Sequence, residues 1–429
     1  MPCTKLALRA KTDRRYIRST YRSNRFILAE VTAPHQHAET NSQRTRPSVN
    51  LCFVLDRSGS MSGEKIALAK QAVEQSIGRL QASDRFSVVV YDDQIDVVIP
   101  STLATHDAKR DAITAVARID ARNQTNLGEG WLRGCEQVAL HLQAEGVNRT
   151  LLLTDGLANV GITDRDDLAS HAAELRSRGV QTSTFGVGTD FDEVLLQQLA
   201  TAGGGNFYYI ADGRAIPDYI TSEVGEALDV VARNVTLDVV APEGVVVESL
   251  MPFPIDQRGG RSAISLGSMV AEQVVQLVLR LSFPLGEMGR ETGAVISVSA
   301  GGESVDDASQ SLTWEYAGGK ANDLQERDAE VDRAVASVFA ARARQEASQL
   351  NRAGNYPAAQ DALASVAKRI RSYAGRDSLM RMLISELDRE SEQLAAPMAP
   401  AAVKEMYFRG YASAKTRNFD GTALRRKQS

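Results

Sequence analysis

The chain has 429 residues, 43% hydrophobic and 24% charged, with 49 basic against 54 acidic side chains and a net charge of -5. Those values are globular, exclude a mostly disordered chain, and divide into two or three domains at roughly 150 residues each. The mild acidity argues against nucleic acid as a partner.

No apolar run reaches the length of a membrane span. Cys3, Cys52 and Cys135 fit neither a zinc pattern nor a disulfide framework, and Met1 to Tyr16 lacks the apolar core of a secretory signal. A cytoplasmic protein is therefore expected.

In chain order, residues 1–46 carry one strand-like run, Arg25 to Ala33, followed by the polar stretch His35 to Pro47. Residues 47–232 alternate apolar strands with amphipathic helices. Ser48 to Leu55, Arg85 to Tyr91, Gln94 to Ile99, Thr150 to Thr154, Thr182 to Val187 and Asn206 to Ile210 read as strands. Lys65 to Leu80, Asp111 to Ala117, Leu127 to Leu142, Asp164 to Arg178, Glu193 to Ala202 and Asp218 to Ala232 read as helices. This alternation predicts an α/β fold, a doubly wound, mostly parallel sheet with helices on both faces. Residues 233–317 show period-two runs, clearest from Val275 to Phe283, and predict an antiparallel β-sandwich. Residues 322–395 predict a small bundle of about three helices, and 396–429 a flexible basic tail. The α/β segment is expected to be inserted in the sandwich, with Arg25 to Ala33 pairing there and covering an open edge.

Sites in parallel sheets form at the carboxyl ends of strands. After the first strand comes Asp56-Arg57-Ser58-Gly59-Ser60, in which alternate positions place a carboxylate and two hydroxyls on one side, Gly59 relaxing the turn. After a later strand comes Thr154-Asp155-Gly156, and ahead of a helix stands Gln124-Thr125-Asn126. Two carboxylates and three hydroxyls, with no thiol or imidazole, suit a hard cation, Mg²⁺, Mn²⁺ or Ca²⁺, and not zinc.

These motifs resemble the metal-ion-dependent adhesion site of the von Willebrand factor A (VWA) domain family. Its D-x-S-x-S, threonine-loop and T-D-G elements correspond to Asp56–Ser60, Thr125-Asn126-Leu127 and Thr154-Asp155-Gly156. The resemblance implies a divalent cation, Mg²⁺ first, held by Asp56, Ser58, Ser60, Thr125 and Asp155. It further implies a partner protein that supplies a Glu or Asp to the metal, within a multiprotein assembly. The flanks resemble those of bacterial intracellular VWA proteins and of inter-alpha-trypsin-inhibitor heavy chains.

Competing readings are a metal-dependent hydrolase or phosphatase, and a VWA subunit working with a separate ATPase. Neither a nucleophile with a histidine base nor a phosphate-binding loop stands in the sequence, so no enzyme is expected. Asp92-Asp93 reads as a solvated hairpin turn and Asp164 to Asp167 as a helix start. Cys52, Cys135, Trp131 and Trp314 read as core residues. A cap on the site in cis by Glu405 or Asp420 is a minor alternative.

Overall fold

The computed structural model describes residues 5–35, 46–122 and 124–426. Cys3, most of the polar stretch His35 to Pro47, and Lys427 lie outside the described residues. The described chain divides into two compact units, an α/β unit drawn from residues 46–230 and 420–422, and a second unit drawn from 5–35, 231–419 and 423–426.

The N-terminal segment holds three strands, β1 (Ala7–Thr12), β2 (Tyr16–Arg18) and β3 (Ser23–Thr32), where the sequence suggests one. The shorter two lack a continuous apolar run; only Ala10 and Ile17 of them are buried.

The α/β unit follows with β4 (Val49–Asp56), α1 (Glu64–Arg79), β5 (Arg85–Tyr91), β6 (Ile95–Leu103), α2 (His106–Ala117) and α3 (Leu127–Ala139). It continues with β7 (Val147–Thr154), α4 (Arg165–Ser177), β8 (Gln181–Val187), α5 (Glu193–Ala202), β9 (Gly204–Ile210) and α6 (Ile216–Leu228). Its sheet runs β6-β5-β4-β7-β8-β9. All neighbours are parallel except β6, which returns antiparallel beside β5. Every residue of β4 and β7 is buried, as expected of strands covered on both faces. Helix α3 lies unusually close to the sheet. A Cβ on Gly130 would stand 2.5 Å from the Tyr91 ring, and one on Gly134 2.2 Å from Val54. These two glycines set the depth at which α3, and the loop entering it, meet the strand ends. Asp164 caps α4 by accepting the Asp166 and Asp167 amides, and Cys52, Cys135 and Trp131 are core residues.

The helix read as Asp218 to Ala232 stops at Leu228. Val230 and Val231 already belong to β10 (Val230–Val240), because β-branched residues prefer the extended chain. The second unit continues with β11 (Val246–Ser249), β12 (Ile255–Arg258), β13 (Arg261–Val270), β14 (Val274–Phe283), β15 (Glu291–Ala300) and β16 (Glu303–Ala317). Two sheets result, β1-β3-β14-β11 and β12-β13-β10-β15-β16-β2. They share one core that includes Ile27, Val31, Leu277, Leu281 and Trp314. β3 pairs along its whole length with β14, from Ser23 opposite Phe283 to Thr32 opposite Val274. It is an interior strand, flanked on its other side by β1, and not the cover of an open edge.

Helices α7 (Gly319–Leu324), α8 (Ala329–Arg352), α9 (Tyr356–Arg371), α10 (Ser378–Gln393) and α11 (Pro400–Ala414) complete the unit. α11 replaces most of the flexible tail expected from the basic composition. Val403, Tyr407 and Tyr411, at helical spacing, are buried. At Gly410 a Cβ would come within 2.7 Å of the Ala341 carbonyl, so α11 packs tightly on α8. The chain after α11 is bound as well. The Val274 amide donates to the Leu424 carbonyl at 2.8 Å, and the Thr416 hydroxyl to the Gln276 carbonyl at 3.0 Å. This stretch runs beside the start of β14, ahead of the residues that pair with β11.

Candidate metal centre

The central strand β4 delivers Asp56 to the carboxyl edge of the α/β sheet, and its neighbour β7 delivers Thr154 and Asp155. Asp56 is solvent-excluded, with both carboxylate oxygens engaged. One accepts the Ser58 amide at 2.8 Å, and the other accepts the Thr154 hydroxyl at 2.7 Å. Burial pushes the Asp56 carboxyl up to about 6, against the pull of the Thr154 and Ser58 donors.

Beyond Asp56 the chain makes a 3₁₀ turn over Gly59–Met61, anchored by the buried Met61. The left-handed position is Gly63, at φ 80, and not Gly59. The turn brings the Ser58 and Ser60 hydroxyls within 3.1 Å of each other. Ser60 donates to Asp155 at 2.6 Å and is exposed, whereas Ser58 and Asp155 are buried. The remaining oxygen of Asp155 is paired with the ammonium of Lys65, from the first turn of α1.

Thr125 is buried just ahead of α3. Its backbone is tied to Asn159 in both directions, the Thr125 amide donating to Asn159 Oδ1 at 3.2 Å and the Asn159 amide to the Thr125 carbonyl at 3.3 Å. A Cβ placed on Gly156 would lie 3.5 Å from the Thr125 hydroxyl and 3.9 Å from that of Ser60. All five residues singled out in the sequence therefore converge, four through direct hydrogen bonds and Thr125 across the bare backbone of Gly156.

Asp92 and Asp93 do lie in the hairpin turn between β5 and β6, and Asp93 is exposed, but Asp92 is fully buried. Its carboxylate accepts the Arg122 Nε at 2.8 Å, the Gln94 amide at 2.8 Å and the Arg57 guanidinium at 3.3 Å. Burial raises its pKa, but these donors outweigh it and hold the carboxyl below its ordinary value. The Asp92 carbonyl also accepts the Asn126 amide at 2.8 Å, and the Arg57 carbonyl accepts the Arg122 amide at 2.6 Å. Asp92 thus pins the Asp56 loop and the Thr125 loop to one point. Its position at the carboxyl end of β5 was the available signal, the same one that singled out Asp56 and Asp155. Thr154 and Lys65 were also missed, because motif spacing does not report which side chains contact the carboxylates.

Residues 50–222 match the profile of the von Willebrand factor type A domain. This region is a VWA domain. The chain is 33% identical to the uncharacterized protein YfbK of Escherichia coli over 200 residues, 46% of this chain and 34% of that protein. It is 28% identical to the uncharacterized protein sll0103 of Synechocystis over 255 residues, 57% of this chain and 59% of that one. It is also 28% identical to inter-alpha-trypsin inhibitor heavy chain H1 of Mesocricetus auratus, over 43% of this chain and 21% of that one. The chain thus spans less than two thirds of each of these relatives. Among solved structures, a von Willebrand factor type A protein from Catenulispora acidiphila superposes with a TM-score of 0.74 at 17% identity, over 97% of this chain and 98% of that one. The ArnB paralog VWA2 from Sulfolobus acidocaldarius gives 0.59 at 16%, over 92% and 100%. At such identities the likeness is one of fold.

No group of three or more His, Cys, Asp or Glu side chains among the described residues is placed to hold a metal ion. No described helix is long and apolar enough to cross a membrane.

Proposed function

We propose that the VWA domain is a cation-dependent protein-binding module. Asp56, Ser58, Ser60, Thr125 and Asp155 would hold a divalent ion, Mg²⁺ first, with Mn²⁺ and Ca²⁺ as alternatives. The donor chemistry fits a hard cation, being all oxygen and carrying two charges. The observation that carries the reading is a pair of solvent-excluded carboxylates, Asp56 and Asp155, joined through Ser58 and Ser60, with one contacting ammonium, that of Lys65 on Asp155, which leaves one negative charge in excess. When bound, the ion supplies a Lewis-acidic position for a Glu or Asp carboxylate of a partner protein.

The chain's own residues orient that position. Thr154 and the Ser58 amide fix the Asp56 carboxylate, and Asp92 fixes the loops on either side. Ser60, exposed at the rim, lies where a partner can reach. The serine hydroxyls bond to each other and to Asp155, an arrangement of ligands and not of a nucleophile with its imidazole base. We read the module as non-enzymatic and part of a larger assembly. Cys52 and Cys135 are both buried and free, which suits a cytoplasmic setting.

The direct test is Asp56→Ala. Mg²⁺ or Mn²⁺ binding measured by calorimetry is expected to be abolished with the circular dichroism spectrum retained. A titration identical to that of the wild type would remove the assignment.

A further inference from the structure

Lys65 touches the candidate ligands, yet cation binding by five oxygen donors gives it no role. Its ammonium is paired with Asp155 and lies 3.4 Å from the Ser60 carbonyl. The two partners differ in exposure. The Asp155 side chain is solvent-excluded, while that of Lys65 keeps 36% of its surface in water. The lysine therefore reaches inward from the rim, its stem passing Gly213, where a Cβ would stand 3.5 Å from the Lys65 Cγ. A long unbranched stem carrying a point charge can swing between acceptors, which a fork-shaped guanidinium does less readily.

The balance of charge changes with occupancy. A divalent ion on Asp56 and Asp155 makes a neutral unit, so Lys65 loses its electrostatic hold on Asp155 once the cation is there. A carboxylate arriving from a partner then adds one uncompensated negative charge in a partly desolvated place, where charge imbalance is costly. One ammonium within a side chain's reach restores the balance.

Resting on the metal-binding reading of the site, we propose that Lys65 is an exchangeable counter-ion that also selects the ligand. It neutralises Asp155 in the cation-free site, gives that carboxylate up to the cation, and then pairs with the acidic side chain of the partner. The site would consequently prefer a carboxylate over a neutral oxygen donor.

The full chain is titrated with Mn²⁺ by calorimetry, in chloride and in acetate at equal ionic strength, acetate serving as the carboxylate probe. Wild type is compared with Lys65→Met and Lys65→Arg. Removing the competing ammonium is expected to tighten Mn²⁺ binding in chloride by about tenfold, the scale of one charge-assisted hydrogen bond. Acetate is expected to tighten Mn²⁺ binding to the wild type, by reciprocal linkage, and to do so less in Lys65→Met. Lys65→Arg keeps the charge but exchanges acceptors less readily, and should fall between the wild type and Lys65→Met in the acetate effect. The opposite signs of the two effects in one variant separate this role from loss of structure, and Lys65→Gln takes the place of Lys65→Met if the latter melts early. Unchanged Mn²⁺ affinity in Lys65→Met, or an acetate effect equal to that of the wild type, overturns the proposal. A wild type that binds no Mn²⁺ at all would instead overturn the metal-binding reading on which it rests.

Discussion

The α/β unit buries acidic side chains toward both ends of its sheet, and the two clusters are satisfied in opposite ways. Toward the amino ends of the strands, Glu223 of α6 accepts Arg149 at 2.6 Å, the Ser183 hydroxyl at 2.6 Å, the Asn206 amide at 3.2 Å and the Tyr208 hydroxyl. One buried carboxylate meets one buried guanidinium, and strand side chains fill the remaining positions. At the carboxyl ends, Asp56 and Asp155 meet hydroxyls, one amide and a single ammonium on a partly exposed stem. The first cluster is closed by the protein itself. The second carries a negative excess beside one partly exposed ammonium, and the proposed cation binding rests on that excess.

Removing one carboxylate from each cluster should separate them most clearly. Glu223→Ala strands the Arg149 charge in the core and is expected to cost about 3–5 kcal/mol in a denaturant titration, with no rescue by Mn²⁺. Asp56→Ala, in cation-free buffer, is expected to melt at or slightly above the wild type. A carboxyl whose pKa rises on folding opposes folding wherever it is ionised, so its loss relieves a cost. Equal destabilisation by the two variants would erase the distinction.

A smaller effect is expected at Asp92, which resembles the closed cluster in its partners but serves the open one. Asp92→Asn weakens the hold on Arg57 and Arg122 and loosens the two loops they span. Mn²⁺ affinity should fall about tenfold, and stability by roughly 1–3 kcal/mol. A loss of stability with unaltered Mn²⁺ affinity would show that Asp92 supports the fold and not the site.

The smallest effect belongs to the second unit, where Glu330 of α8 pairs with Arg9 and Lys11 of β1 in half-exposed surroundings. The Arg9 and Lys11 hydrogen bonds hold the Glu330 carboxyl at about 2, below its ordinary 4.5. A depressed acid contributes stability above its unfolded value and loses it as pH falls through the folded one. Glu330→Gln should therefore cost under about 1 kcal/mol at neutral pH, given solvent screening. The difference from wild type should fade as the pH approaches 2. A pH-independent difference would mean that packing, not charge, joins the strand to the helix.

What the sequence determined by itself was the regular alternation of the α/β unit and the five oxygen-bearing residues at its sheet edge. Both depend on local order. A doubly covered parallel strand carries a mostly apolar run, Leu51 to Leu55 in β4 and Leu151 to Leu153 in β7, and the polar residues that close each run at its carboxyl end include Asp56 and Asp155. Tertiary structure alone decided the rest. Nothing near Lys65 in the sequence says that its ammonium meets Asp155, ninety residues away. Asp92 looked solvated in its turn because its partners, Arg57 and Arg122, stand about thirty residues to either side. Val403, Tyr407 and Tyr411 looked like parts of a charged tail because the surface that buries them belongs to α8, far back in the chain. A side chain's neighbours across the fold set its burial and its ion pairs, and spacing along the chain carries no record of them.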